Sequence, residues 1–128
     1  MSCLEQPEEG TWVNADPKTR GLVRAQLRFT CQDQILNGQP YPPGPPWHMR
    51  LWGSCSPQDC DWGEVDADNR TIGNRNYVFA VYHHGFATRY VYADMSLYRE
   101  GQLWIWMWTN FEDPNRPDYE FQGWFRRA

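Results

Sequence analysis

Apolar and polar residues alternate with period two along most of this chain. In LVRAQLRFTC (22–31), Val23, Ala25, Leu27, Phe29 and Cys31 fall on one face, and Arg24, Gln26, Arg28 and Thr30 on the other. Such a pattern predicts a half-buried strand. WHMRLWG (47–53) is apolar on both faces, with Arg50 in its middle. NYVFAVYHH (76–84) sets Tyr77, Phe79, Val81 and His83 against Val78, Ala80, Tyr82 and His84. ATRYVYADMSLY (87–98) sets Thr88, Tyr90 and Tyr92 against Arg89 and Val91. QLWIWMWTNF (102–111) has Leu103, Ile105, Met107 and Thr109 on one side and Trp104, Trp106 and Trp108 on the other. The last segment, YEFQGWFRR, sets Tyr119, Phe121 and Phe125 against Gln122 and Trp124.

Turn residues punctuate these segments at Asp16-Pro17, Asn37-Gly38, Gly73-Asn74, Glu100-Gly101 and Asp113-Pro114-Asn115. QPYPPGPP (39–46) is rigid and extended, and its prolines cannot donate to a ladder. CSPQDCDWG is followed by a charged stretch read as loop, and no window has a helical period. The expected fold is all-β, a small antiparallel up-and-down barrel whose closure removes exposed edges. A two-sheet sandwich is the alternative. Residues 1–9 are expected to form a flexible tail and 10–128 a single barrel domain.

Composition sharpens this picture. The 128 residues include 8 Trp, 7 Tyr and 6 Phe, so rings must serve both a small core and any recognition surface. Two apolar faces on several strands imply a lined cavity, a covered subunit interface, or both. A net charge of −4 argues against nucleic-acid binding by phosphate neutralisation. No apolar run is long enough to span a membrane as a helix. The N-terminal stretch lacks a signal-peptide pattern, which places the protein in the cytoplasm at face value; a mature secreted domain fits nearly as well.

The stretch Gly10-Thr11-Trp12-Val13-Asn14 resembles the first strand of the avidin and lipocalin group of barrels, in which a Gly-x-Trp signature opens the barrel and the Trp packs across its closed end. Beyond Asn14, no avidin-type biotin-binding residues can be placed, and biotin is not the expected ligand. A longer resemblance joins GTWVNADPKTRGLVR to CSPQDCDWG and to residues 110–116. These are similar to landmarks of a group of small bacterial β domains with a GTWxNxDPxTRGxxR start and a CxPxDCDWG centre. It implies one β domain and supplies no activity.

Cys55 and Cys60 can reach bridging distance around Ser56-Pro57, and a disulfide ranks ahead of two free thiols, with a metal site last. Structural zinc wants four ligands in closer pairs, and no second pair follows. Cys3 and Cys31 are a second pair to consider. Asp61-Trp62-Gly63 reads either as a lid, with a ring beside a carboxylate, or as a turn whose Asp bonds its own backbone while Trp62 caps the core. Of His83 and His84, at most one can face a cavity, where it would serve as a general base. The Trp104, Trp106, Trp108 row is an aromatic wall suited to sugars, planar ligands or cations, or to another subunit. An inward Arg among Arg24, Arg28, Arg50 and Arg89 would need a partner such as Asp94 or Glu120 and could then hold an anionic ligand.

The leading functional expectation is a small-molecule-binding barrel with an aromatic cavity. Its candidate ligand residues are Trp12, Asn14, Trp52, Trp62, Tyr82, Tyr90, Trp104, Trp106, Trp108 and Trp124. The alternatives are a carbohydrate-binding module with exposed Trp and Tyr, a barrel enzyme using His83 or His84, and a homo-oligomer built through the aromatic face. Catalysis is the less favoured reading, because no nucleophile elbow, metal pair or phosphate loop is present. No metal or cofactor is expected.

Overall fold

The computed structural model describes residues 6–95 and 101–128. Among these residues ten strands form: β1 (Gly10–Asn14), β2 (Leu22–Phe29), β3 (Gln34–Leu36), β4 (Gln39–Tyr41), β5 (Trp47–Gly53), β6 (Cys60–Ile72), β7 (Arg75–His84), β8 (Ala87–Met95), β9 (Gln102–Phe111) and β10 (Tyr119–Arg127). Eight of them close into an antiparallel barrel in the order β1-β10-β9-β8-β7-β6-β5-β2, with β1 also paired to β2. Each barrel strand therefore pairs with its neighbour in the chain, except across the β3–β4 hairpin and at the β1–β10 seam. The sandwich alternative is set aside by this closure.

The inner face carries the expected alternation. Leu103, Ile105, Met107 and Thr109 of β9 point inward and are at most 2% exposed. Trp104, Trp106 and Trp108 point outward and are half-buried. Volume explains the choice: an eight-stranded barrel leaves an interior just wide enough for side chains to fill. Small and medium residues such as Ala25, Ala67, Ala80 and Ala93 occupy much of it. Three more indoles on one strand would overfill it.

One end of the barrel is plugged by rings. Trp12 and Trp47 have no exposed surface, and Phe29 meets Trp47 at 5.0 Å between ring centres. Each fully buried large side chain contributes roughly 1.5–3 kcal/mol. Their polar edges are satisfied: Trp12 Nε1 donates to the Glu8 carbonyl at 3.0 Å, and Trp47 Nε1 to Asn69 Oδ1 at 3.2 Å. Arg127 lies over the Trp12 ring at 4.2 Å and donates to the carbonyls of Pro7 and Glu9. Residues 7–9, expected within the tail, are thereby tied to the barrel end.

Two β-bulges correct the strict alternation. Between Leu22 and Arg24 the register of β2 on β5 shifts, so Leu22 is fully buried and Val23 only half-buried. In β6, three steps from Asp61 to Glu64 oppose two steps from Trp52 to Arg50. Gly63 sits there with φ of 82°, a conformation that favours glycine. The extra residue turns Trp62 inward, although it shares parity with the outward Glu64 and Asp66.

Two loop expectations are also corrected. The charged stretch after CSPQDCDWG is strand β6. Its acidic side chains face solvent, while Val65 and Ala67 pack on the core, so it offers almost no apolar period. The start of the proline-rich segment pairs as β4 in a two-stranded hairpin around Asn37-Gly38, with Pro40 opposite Ile35. An edge position tolerates that proline. The expected strand residues Ser96–Tyr98, Cys3, and Glu100 of the Glu100-Gly101 turn lie outside the described residues.

Glycines set the fit at the open end. A methyl group at Gly21 would come within 2.4 Å of the Phe121 ring, whereas one at Gly85 meets nothing within 4 Å. Gly21→Ala is therefore expected to lower unfolding free energy by about 1–3 kcal/mol, and Gly85→Ala to leave it nearly unchanged. Urea titration of the two variants checks this, and equal midpoints would contradict the packing described.

Candidate functional site

The end opposite the Trp12 plug is open and holds a cavity of about 490 Å³. Met107 forms part of its floor. Trp62, Phe86, Phe111 and Tyr119 contribute rings to its walls. Gly53 gives one of these rings room: a methyl group there would come within 2.9 Å of the Trp62 indole.

The rim is braced at several points. Cys55 and Cys60 form a disulfide with a Cα separation of 5.5 Å, closing the β5–β6 connection, and both line the cavity. The cysteine motif is thus a stapled loop. Cys31 is also disulfide-bonded. The Ser54 amide donates to the Gly21 carbonyl at 2.9 Å, and the Glu112 amide to the Phe86 carbonyl at 2.9 Å. Asn110 Nδ2 donates to Asp118 Oδ1 at 2.9 Å across the β9–β10 connection.

Asp61-Trp62-Gly63 divides its work between the two faces. Asp61 points outward, pairs with Arg50 and accepts the Gly63 amide at 2.9 Å through Oδ1. Arg50 holds the Asp61 carboxyl below its ordinary range, and the Gly63 amide adds to this. Trp62 points inward against Tyr82 and His84, with ring centres 5.7 and 5.3 Å away. The Tyr82 hydroxyl reaches the carbonyls of Met49 at 3.1 Å and Gly63 at 2.8 Å. Burial pushes its ionisation well above the ordinary range. Tyr82 thus fastens the bulge from below.

Arg89 is the unusual cation. It lies opposite Tyr82 on β7 and Thr109 on β9, both buried inside the barrel, so its side chain shares their inward face. Its guanidinium sits 4.3 Å from the Trp62 ring centre and 5.7 Å from that of Phe86. Its Nε and the Thr109 Oγ1 are buried without a protein partner. Burial lowers the proton affinity of Arg89; Arg116 acts in the same direction, and Tyr119 opposes it. Arg20 and Arg116 also line the cavity, and among the described residues no Asp or Glu does. Arg116 is stacked 3.8 Å from the Phe111 ring centre.

The sequence candidates separate clearly. Trp62 lines the cavity, and Tyr82 and His84 pack directly against it. Trp12 is in the plug at the far end. Asn14 straps β1 to β2, donating to the Leu22 carbonyl at 2.9 Å and accepting the Asp16 amide at 2.8 Å. Trp52 lies outside, beneath Arg24 and Arg50 at 5.7 and 4.9 Å. Tyr90, Trp104, Trp106, Trp108 and Trp124 all stand on the outer face, where Trp104 and Trp124 meet at 4.7 Å between ring centres. His83 is exposed. His84 stacks on Tyr82 at 5.7 Å, and its Nε2 is buried without a protein partner.

Of the arginines weighed as inward candidates, Arg28 pairs with Glu64 at 2.8 Å and Arg50 with Asp61 on the outside. Asp94 pairs with Arg75, also on the outer face. Residues missed by sequence reasoning are Arg20, Phe86, Met107, Phe111, Arg116 and Tyr119. Thr109 had a visible signal, as a hydroxyl ending the apolar row Leu103, Ile105, Met107.

No family model, curated protein or solved structure matches the chain. Fold and site define it as a closed eight-stranded antiparallel barrel with one plugged end and one arginine-bearing mouth. Among the described residues, no group of three His, Cys, Asp or Glu side chains could hold a metal ion, and no helix is long and apolar enough to cross a membrane.

His84 has a defined pH consequence. Burial, and then Arg89, hold its proton affinity below the ordinary value of 6.5. The unfolded chain therefore takes up this proton first. The His84 contribution to stability is complete above about pH 6.5 and is lost as pH falls from there through the lower folded value. Thermal melts at pH 7.5 and 5.0 are expected to show a smaller acid loss in His84→Gln than in the unaltered protein. An equal loss would show that His84 is not held in its neutral form.

Proposed function

We propose that the protein is a small-molecule-binding module whose ligand occupies the open mouth of the barrel. The observation that carries this reading is the cavity itself: about 490 Å³, ring-walled, and floored by core residues. That volume falls within the range of sites for drug-sized molecules, which combine apolar walls with a few polar groups. The plug at the other end makes the mouth the natural route of access, and the braced rim favours a preformed site over one assembled on binding.

Neutral N-phenyl-1-naphthylamine, whose emission rises in apolar surroundings, tests the reading. Saturable one-to-one binding is expected. Ser54→Trp, which adds an indole at an exposed lining position, is expected to weaken it about tenfold or more with an unchanged melting temperature. Absence of saturable binding, or undiminished binding by this variant, would remove the mouth as the site.

A second reading rests on the outer face. Trp104 and Trp124 border a groove of about 480 Å³ with Asn14, Asp16, Thr19 and Gln122 along it. Indoles beside amides and a carboxylate form a surface of the kind that receives a sugar ring. On this reading, titration with neutral oligosaccharides perturbs Trp emission, and Trp124→Ala abolishes the response. A response that survives Trp124→Ala would place the sugar elsewhere.

A further inference from the structure

The polar groups in the mouth differ from those of a general apolar site, and they specify a ligand class. We infer that the cavity takes an amphiphilic organic anion, with its acidic head turned inward against Arg89 and Thr109 and its apolar body along Trp62, Met107 and Phe111. This rests on the mouth-binding reading above and names the ligand chemistry of that site.

Arg89 and Thr109 are directly opposed on adjacent strands, both inward. Both residues line the same cavity, and each has a buried polar atom without a protein partner. A buried donor left unpaired costs about 1–3 kcal/mol, and a charged one more. The Trp62 face offsets only part of this, since a cation over a ring gains roughly 0.5–2 kcal/mol. A carboxylate, sulfonate or phosphate oxygen would accept from the guanidinium and from the threonine hydroxyl at once. Charge-assisted bonds of this kind are about twice as strong as neutral ones.

The surroundings agree in sign. The whole chain carries a net charge of −4, yet among the described residues the cavity lining holds three arginines and no carboxylate. Two outward arginines behave differently: Arg28 on β2 and Arg50 on β5 each have a carboxylate partner. Arg20 and Arg116 add positive potential that would draw an anion toward the opening. The ring walls exclude small inorganic anions as good occupants, because such ions would leave the apolar surface uncovered.

The test compares two fluorophores differing in one group. Anilinonaphthalene-8-sulfonate carries the acid, and N-phenyl-1-naphthylamine lacks it. The unaltered protein is expected to bind the sulfonate at least about tenfold more tightly. Arg89→Met is expected to erase that preference, the two probes then binding this variant within about twofold of each other, and Thr109→Val to reduce it several-fold. Competition on the unaltered protein needs no variant: decanoate should displace the sulfonate probe at lower concentration than 1-decanol. Decanol competing as well as decanoate, or a preference that survives Arg89→Met, would overturn the anion assignment and leave mouth binding intact. Failure of both fluorophores to bind would overturn mouth binding itself, and the assignment with it.

Discussion

The interior volume of a closed eight-stranded barrel is the constraint on which the rest of this structure depends. Once β1 pairs with β10, the inside admits only a fixed set of side chains. Alanines and aliphatics take the wall positions, and Trp12 and Trp47 close one end. Tyr82, Phe121 and Phe125 are the further rings that the core admits, and most of the others go to the mouth or to the outside. The division of aromatic residues into plug, mouth and outer row follows from this limit and from strand parity.

Closure also explains why Arg89 matters more than the other arginines. On the outer face a guanidinium finds water or a carboxylate, as Arg28 and Arg50 do. On the inner face the competing neighbours are Tyr82, Thr109 and Trp62, and none of them supplies a negative charge. A position that would cost stability in a solid core is tolerable at the mouth, where part of the side chain meets the cavity. The cation is thus retained where an occupant can reach it.

Much of the fold was legible in the sequence, and the site much less so. Period-two alternation identified β2, β5, β7, β8, β9 and β10, because each presents a largely apolar row, broken in β8 by Arg89. It missed β6, whose inward residues are few and small among acidic ones, and it treated a proline-bearing edge hairpin as unpaired. The outer row of Trp104, Trp106 and Trp108 attracted attention because three indoles in alternation are conspicuous. Sequence alone could not orient that row, since both faces of β9 are apolar. The mouth residues come from five strands and from the connections between them. Their convergence is a property of barrel closure, to which no local window has access. Trp62 was identified as a ligand candidate from its company in CSPQDCDWG, but its inward direction depends on a bulge that reverses parity.

Both bulges in the barrel lie in its mouth half, one beside Leu22 and one at Gly63. Each lets the strand restart its alternation, so the side chains nearest the opening are decoupled in phase from those that build the plug. The two ends of the barrel are therefore separable as sequence problems. Residues around Trp12 and Trp47 can preserve the scaffold while the set facing the opening is exchanged. A single inserted or deleted residue at either bulge would re-aim one wall of the mouth without moving the far end, which makes this half of the molecule the place where related chains could diverge in what they hold.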